Sequence, residues 1–275
     1  MSTRCPLIVA VLLVVSLTTW PSANAQTIRE RIQARRKDAS QPTAPAPATP
    51  KPGEAGEFAA ETIQVGPDQR VYRLVVPKTV DLTKPAPLVV AFHGMLIDSK
   101  DLMPRYTHLN EAAEAHKFLI AYPNAIGRSW GFAPEKVAQD LALFDALVAK
   151  LGTQYKIDPQ RIYVLGMSNG GYFAHIVGKE RSKTVAAVAS HSGPLGLQTL
   201  LGVKADRKFP VLIIHGDKDQ IFRTSFFEEN RDKYKKEGHE VQYIKVPNLG
   251  HMWASDAKIN ETIWEFFAKH PLPGK

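Results

Sequence analysis

The chain has 275 residues and one cysteine, Cys5, which lies within its first few positions. No internal disulfide can form, and the body has neither a cysteine nucleophile nor a cysteine metal site. A chain so built must be held by its core alone, which calls for a good-sized domain. Long apolar runs are also scarce. Pro6 to Leu17 is almost uncharged and short for a membrane span, which leaves a signal segment as the expected reading and an uncleaved N-terminal anchor as its alternative. No basic stripe with interleaved aromatics occurs, so nucleic acid is not an expected partner. No internal repeat is visible.

The N-terminal features read as export and spacing. Arg4, the apolar run and Ala23-Asn24-Ala25 form a signal-peptide pattern over residues 1–25, with the mature chain expected to begin near Gln26. The expected location is therefore secreted or periplasmic, with no stable membrane insertion after cleavage. Residues 26–57 read as a disordered Pro/Ala-rich spacer, since Pro42, Pro45, Pro47, Pro50 and Pro52 interrupt a stretch without large apolar side chains. Of the formal net charge of +8, Arg4 carries one and the spacer two (six basic against four acidic residues), leaving +5 for the body. That is mild for a domain spanning 58–275.

Within that body, short β-like runs alternate with helical patterns. Strands are expected at Thr62–Val65 and Val71–Val76 (a hairpin), Leu88–Phe92, Phe118–Tyr122, Arg161–Leu165, Val185–Ser190, Val211–Ile214 and Val241–Val246. Helices are expected near Asp101–His116 and over Pro134–Gln154, Gly170–Glu180, Thr224–Glu237 and Ile259–Lys269. The alternation predicts one α/β domain with about eight strands, mostly parallel, and helices on both faces.

Two segments fit G-x-S-x-G, one around Ser129 and one around Ser168. The chemistry needs the serine on a sharp turn from strand to helix, where its hydroxyl projects and helix N–H groups face the reacting centre. Ser129 follows a loop. Ser168 follows the apolar run Ile162–Leu165 and opens a helical run, so Ser168 is the expected nucleophile. The first oxyanion donor would be the backbone N–H of Asn169, and the second that of Met95 in the His93-Gly94-Met95 loop after the third strand. His93 is expected to pack behind that loop.

Acid and base must follow the serine in that order. His251 lies in the loop between the last strand and the last helix and is the expected base; His215, His239 and His270 sit in less suitable places. His215-Gly216-Asp217-Lys218-Asp219 offers two carboxylates. Asp219 lies deeper in the loop and is the expected acid, with Asp217 as a turn-former. Trp130, Phe132, Phe222 and Trp253 fall on loops at the same edge, and Trp130 and Trp253 are expected to bind substrate. No cofactor and no metal is required.

With these motifs in place, the chain resembles the polyhydroxybutyrate-depolymerase-like and feruloyl-esterase-like branch of α/β-hydrolases from about Tyr72 to His251. The carriers are Pro87 to Gly94, Tyr122-Pro123-Asn124 with Trp130, Tyr155 to Val164, the Ser168 motif with Gly171, and His215 to Asp219. The resemblance implies that the acid is the third residue after His-Gly, here Asp219, and that the base opens a His-x-Trp segment, here His251-Met252-Trp253. The chain departs from that pattern at Asn169, often alanine, and at Ala254-Ser255, often Pro-Gly. The implied activity is serine carboxylic-ester hydrolysis on polyhydroxyalkanoate-type, feruloyl or acetyl-polysaccharide esters. A serine peptidase on the same scaffold and a catalytically silent binding protein are the alternatives.

Overall fold

The computed structural model of the protein describes residues 51–95, 102–195, 204–254 and 257–274. The expected signal peptide and positions 26–50 of the expected spacer lie outside the described residues.

In chain order the elements are β1 (Gly56–Val65), β2 (Asp68–Val76), β3 (Ala86–Phe92), α1 (Met103–Thr107), α2 (Leu109–His116) and β4 (Leu119–Pro123). They continue as α3 (Pro134–Gln154), β5 (Ile157–Met167), α4 (Asn169–Glu180), β6 (Ala187–His191), β7 (Val211–Gly216), α5 (Thr224–Lys236), β8 (Val241–Val246) and α6 (Ala257–Ala268). The strands form one eight-stranded sheet in the order β1-β2-β4-β3-β5-β6-β7-β8. β1–β2 and β2–β4 pair antiparallel, and every other pairing is parallel. This is the mostly parallel sheet of the α/β-hydrolase fold.

The pleat explains the two-sided core. In β3, Leu88, Val90 and Phe92 point to one face, where α3, α4 and α5 pack. Val89 and Ala91 point to the other, where α1, α2 and α6 pack. All seven residues of β3 are buried, as a central parallel strand covered on both faces requires. Chain order reverses at β3, whose neighbours are β4 and β5. In such sheets the crevice for a ligand opens outside the carboxyl ends of the strands at that reversal. Ser168 and the His93–Met95 loop leave the sheet there.

Two expectations need correction. The spacer does not run to residue 57, because Gly56 and Glu57 already pair with Val76 and Val75 as the start of β1. Upstream of them, Gly53 N–H donates to the Gln154 carbonyl. The helix expected near Asp101–His116 is two helices. His108 adopts the left-handed region (φ 57°), and its N–H caps α1 on the Pro104 carbonyl before α2 starts in a new direction.

Candidate active site

Ser168 sits in the single-residue turn between β5 and α4 at φ 54°, ψ −119°. Non-glycine residues avoid this region, so the backbone there is strained. The surrounding sequence makes the turn feasible. A Cβ on Gly166 would lie 2.2 Å from the Gly170 carbonyl oxygen, and one on Gly170 would lie 2.0 Å from the Phe92 carbonyl oxygen. Only glycines let β3, β5 and the first turn of α4 close together. The Ser168 N–H is fixed on the His191 carbonyl at 2.9 Å.

Three side chains from three loops meet at this turn. His251 Nε2 lies 2.9 Å from Ser168 Oγ, and His251 Nδ1 lies 2.7 Å from Asp219 Oδ2. The Asp219 side chain is fully buried, and its Oδ1 accepts the N–H groups of Ile221 (2.8 Å) and Phe222 (2.9 Å). Burial alone would raise the Asp219 carboxyl. The Phe222 N–H, the His251 ring and the Ile221 N–H outweigh it and hold the carboxyl below its ordinary value. Asp217 instead faces the neighbouring loop, where its Oδ1 accepts the Asn248 N–H at 2.6 Å.

His93 is buried behind the loop after β3. Its Nε2 accepts the Ala125 N–H at 3.1 Å, so the ring proton sits on Nδ1, which donates to the Gly94 carbonyl at 2.6 Å. In a trans peptide the C=O and the following N–H point in opposite directions. Holding the Gly94 oxygen against the buried ring therefore turns the Met95 N–H away from it. Asn169 opens α4, and its side-chain oxygen takes the Trp130 N–H at 2.7 Å, which leaves its own backbone N–H at the helix N-terminus.

Trp130 and Trp253, expected to bind substrate, are both buried rather than presented on the surface. Trp130 is fully buried between Phe92 (5.0 Å, edge-on) and Phe173 (4.9 Å, stacked), with Nε1 donating to the His93 carbonyl. Trp253 is buried against His191 (4.8 Å, stacked), with Nε1 on Asn260 Oδ1. Their loops are anchored from below, and an indole is a large apolar group that the core can absorb. Phe222 lies edge-on to His251 at 5.5 Å, and the exposed Phe132 stacks on Tyr172 at 5.1 Å. Ser129, the other motif serine, follows a 3-10 turn and lies beside the Asn169 side chain.

Several supporting residues were not anticipated. Asp140 lies on the apolar face of α3 and pairs with buried Arg70 at 2.9 Å, while its second oxygen accepts the Gly131 N–H. A carboxylate in the middle of a helix's apolar stripe was the available signal. His175 is fully buried in α4, between the Tyr234 hydroxyl (3.0 Å) and the Gly193 carbonyl (3.2 Å). His215 lies fully buried 3.8 Å from Asp219 Oδ2 and stacks on Phe227.

The chain is similar in sequence to NocK of Nocardia uniformis subsp. tsuyamanensis, provisionally named an esterase, at 30% identity over 200 residues, 66% of this chain and 58% of that protein. It is 27% identical to the bifunctional acetylxylan esterase/xylanase XynS20E of Neocallimastix patriciarum over 230 residues, 70% of this chain and 32% of that protein. The chain thus spans less than two thirds of the length of either relative. In structure it is similar to the CE1 ferulic acid esterase AmCE1/Fae1A from Anaeromyces mucronatus, with TM-score 0.59 at 18% identity over 84% of this chain and 93% of that one. The family model described as the Dienelactone hydrolase family matches residues 122–265, just over half of the sequence. With that match running from the end of β4 into α6 and covering both the Ser168 turn and the His251 loop, the chain belongs to the dienelactone hydrolase family.

Proposed function

We propose that this chain is a serine carboxylic-ester hydrolase with Ser168 as nucleophile, His251 as base and Asp219 as acid. The observation that carries the reading is the continuous line from Ser168 Oγ through the His251 ring to Asp219 Oδ2, at 2.9 and 2.7 Å. That geometry suits proton removal from the hydroxyl as it attacks.

In the first half-reaction Ser168 Oγ bonds to the ester carbonyl carbon and its proton passes to His251 Nε2. The Met95 and Asn169 N–H groups receive the developing oxyanion. Collapse breaks the bond to the alkoxy oxygen, which leaves as alcohol with the proton from His251. Water then attacks the acyl-enzyme and gives a proton to His251; the acyl C–Oγ bond breaks as His251 Nε2 returns that proton to Ser168 Oγ, releasing the carboxylic acid. Asp219 stays ionised throughout. Its carboxylate fixes the proton on His251 Nδ1, leaving Nε2 free to accept.

For substrate, the names of relatives and neighbours favour acetyl-polysaccharide or feruloyl esters, and polyhydroxyalkanoate-type esters belong to the same chemical class. Exposed Phe132 and half-buried Phe222 supply apolar surface for the acyl group. Export, with residues 1–25 as the signal, belongs to the same proposal, and intact mass of protein recovered from the periplasm or medium tests it.

Turnover of p-nitrophenyl acetate by the wild type, lost in Ser168→Ala, tests the reaction class. A panel of acetyl-sugar, feruloyl and hydroxybutyrate esters then ranks the substrates. A pure, folded protein inert toward all of them contradicts the proposal.

A further inference from the structure

His191 ends β6, is buried, and belongs to none of the three groups that move protons in the proposed reaction. It nevertheless touches the segments that carry two of them. Its carbonyl accepts the Ser168 N–H at 2.9 Å, which fixes the strained nucleophile turn. Its ring Nε2 accepts the Ala254 N–H at 3.1 Å, three residues beyond His251. The ring also stacks on Trp253 at 4.8 Å. An Nε2 that accepts an amide proton must be unprotonated, so the ring proton sits on Nδ1, which donates to Ser192 Oγ at 3.2 Å.

We propose that His191 is a positioning residue that ties the His251 loop to the Ser168 turn, with its Nε2 as the acceptor that sets the distance between base and nucleophile. The proposal rests on the hydrolase reading above. The His251 loop leaves edge strand β8, whose residues are half-buried or exposed. The Ser168 turn stands on central strand β5. Without a tie between them, the Oγ–Nε2 separation would follow the motions of an edge element. One residue on β6 reaches both, through a backbone oxygen on one side and a ring nitrogen on the other. The tie is short and buried, and it is directed at backbone, so it holds whatever the neighbouring side chains are. The loop's other fastenings, Asn248 and Leu249 on the loop after β7, His251 on Asp219, and Trp253 Nε1 on Asn260 of α6, do not refer it to the Ser168 turn.

The test separates acceptor from bulk. A glutamine side chain can bring an acceptor to about the place of the ring's Nε2, whereas asparagine reaches only as far as Nδ1. Phenylalanine keeps the stack on Trp253 and lacks any acceptor. For folded His191→Asn and His191→Phe we expect kcat on p-nitrophenyl acetate to fall by about 10²-fold with KM within a few-fold, as for a small misplacement of catalytic groups. His191→Gln should stay within a few-fold of wild type.

The far-downfield proton resonance of His251 Nδ1–H on Asp219 supplies a readout that does not depend on turnover. It should persist in the wild type and His191→Gln, and shift or broaden away in His191→Asn and His191→Phe. Unchanged kcat and resonance in the acceptor-less variants would overturn the proposal. So would an equal loss in all three variants, or an absence of folding confined to the acceptor-less ones, since that assigns the bond to folding rather than alignment. If the wild type hydrolysed no ester, the hydrolase reading would fail, and His191 would be judged on the resonance alone.

Discussion

Asp219 divides its two oxygens between His251 and its own loop: Oδ2 lies 2.7 Å from His251 Nδ1, while Oδ1 takes the N–H groups of Ile221 and Phe222. The carboxylate is thereby fixed before it orients the imidazole. In Asp219→Asn, Oδ1 can keep both backbone bonds only if the new amide nitrogen faces His251. That nitrogen donates, so it selects the tautomer with the proton on Nε2, pointing at Ser168 and unable to accept from it. We expect kcat on an activated ester to fall by about 10²- to 10⁴-fold. Asp217→Ala removes a loop contact to the Asn248 N–H, and should leave kcat within a few-fold while costing about 1 kcal/mol of stability. Steady-state kinetics on the two variants decides between the carboxylates, and equal losses would contradict the assignment.

Burial pushes the imidazoles of His175 and His191 down to about 3, from 6.5 for an ordinary histidine. The groups facing them modify this: Lys179 acts on His175, and His251, His215 and Asp219 act on His191. Between the two values the unfolded chain binds these protons and the folded chain does not. Stability is therefore full above the ordinary histidine value and declines as pH falls toward the depressed one, by about 1.4 kcal/mol per pH unit for each histidine. Urea unfolding between about pH 7 and pH 4 measures the slope. His175→Gln should flatten it, and a flat wild-type curve would contradict the buried neutral state.

Arg70 and Asp140 form a buried pair that ties β2 to α3 and to the Gly131 N–H. Asp140→Asn leaves a buried guanidinium without its counter-charge and should cost about 3 kcal/mol or more. Replacing both by apolar residues, Arg70→Met with Asp140→Leu, should recover much of the loss. Urea midpoints of the single and double variants check both statements.

Gly170→Ala would place a methyl 2.0 Å from the Phe92 carbonyl oxygen, a backbone atom that cannot swing aside. We expect at least about 3 kcal/mol of destabilisation or failure to accumulate folded protein. Gly152→Ala is the control, because nothing lies within 4 Å of its added Cβ. Thermal unfolding of the pair measures the contrast.

The elements legible in the sequence are those with one dominant signal. Helix α3 carries Pro134 at its first turn and an apolar stripe from Val137 to Leu151, and β3 is an unbroken apolar run. The Ser168 turn was legible because its glycines are sterically forced. The end of the spacer was not, since Gly56 and Glu57 have no strand propensity and become strand only by pairing with Val76 and Val75. The break at His108 was hidden for a similar reason, because a left-handed residue inside a helical pattern leaves no compositional mark. Trp130 and Trp253 misled because a loop position suggests exposure, whereas their burial depends on Phe173 and His191, distant in sequence. The buried histidines His175 and His191 could not be told from surface ones without their partners.

The most direct test of the central claim is covalent labelling of the serine. A fluorophosphonate reacts with a serine hydroxyl only when an adjacent base has activated it. Intact mass spectrometry should show a single adduct, mapped by peptide sequencing to Ser168, formed in step with loss of ester turnover. The adduct should be absent in Ser168→Ala and strongly slowed in His251→Asn. Labelling at another residue, or folded wild-type protein that stays unlabelled while activity persists, would contradict the assignment of Ser168 and His251 as nucleophile and base.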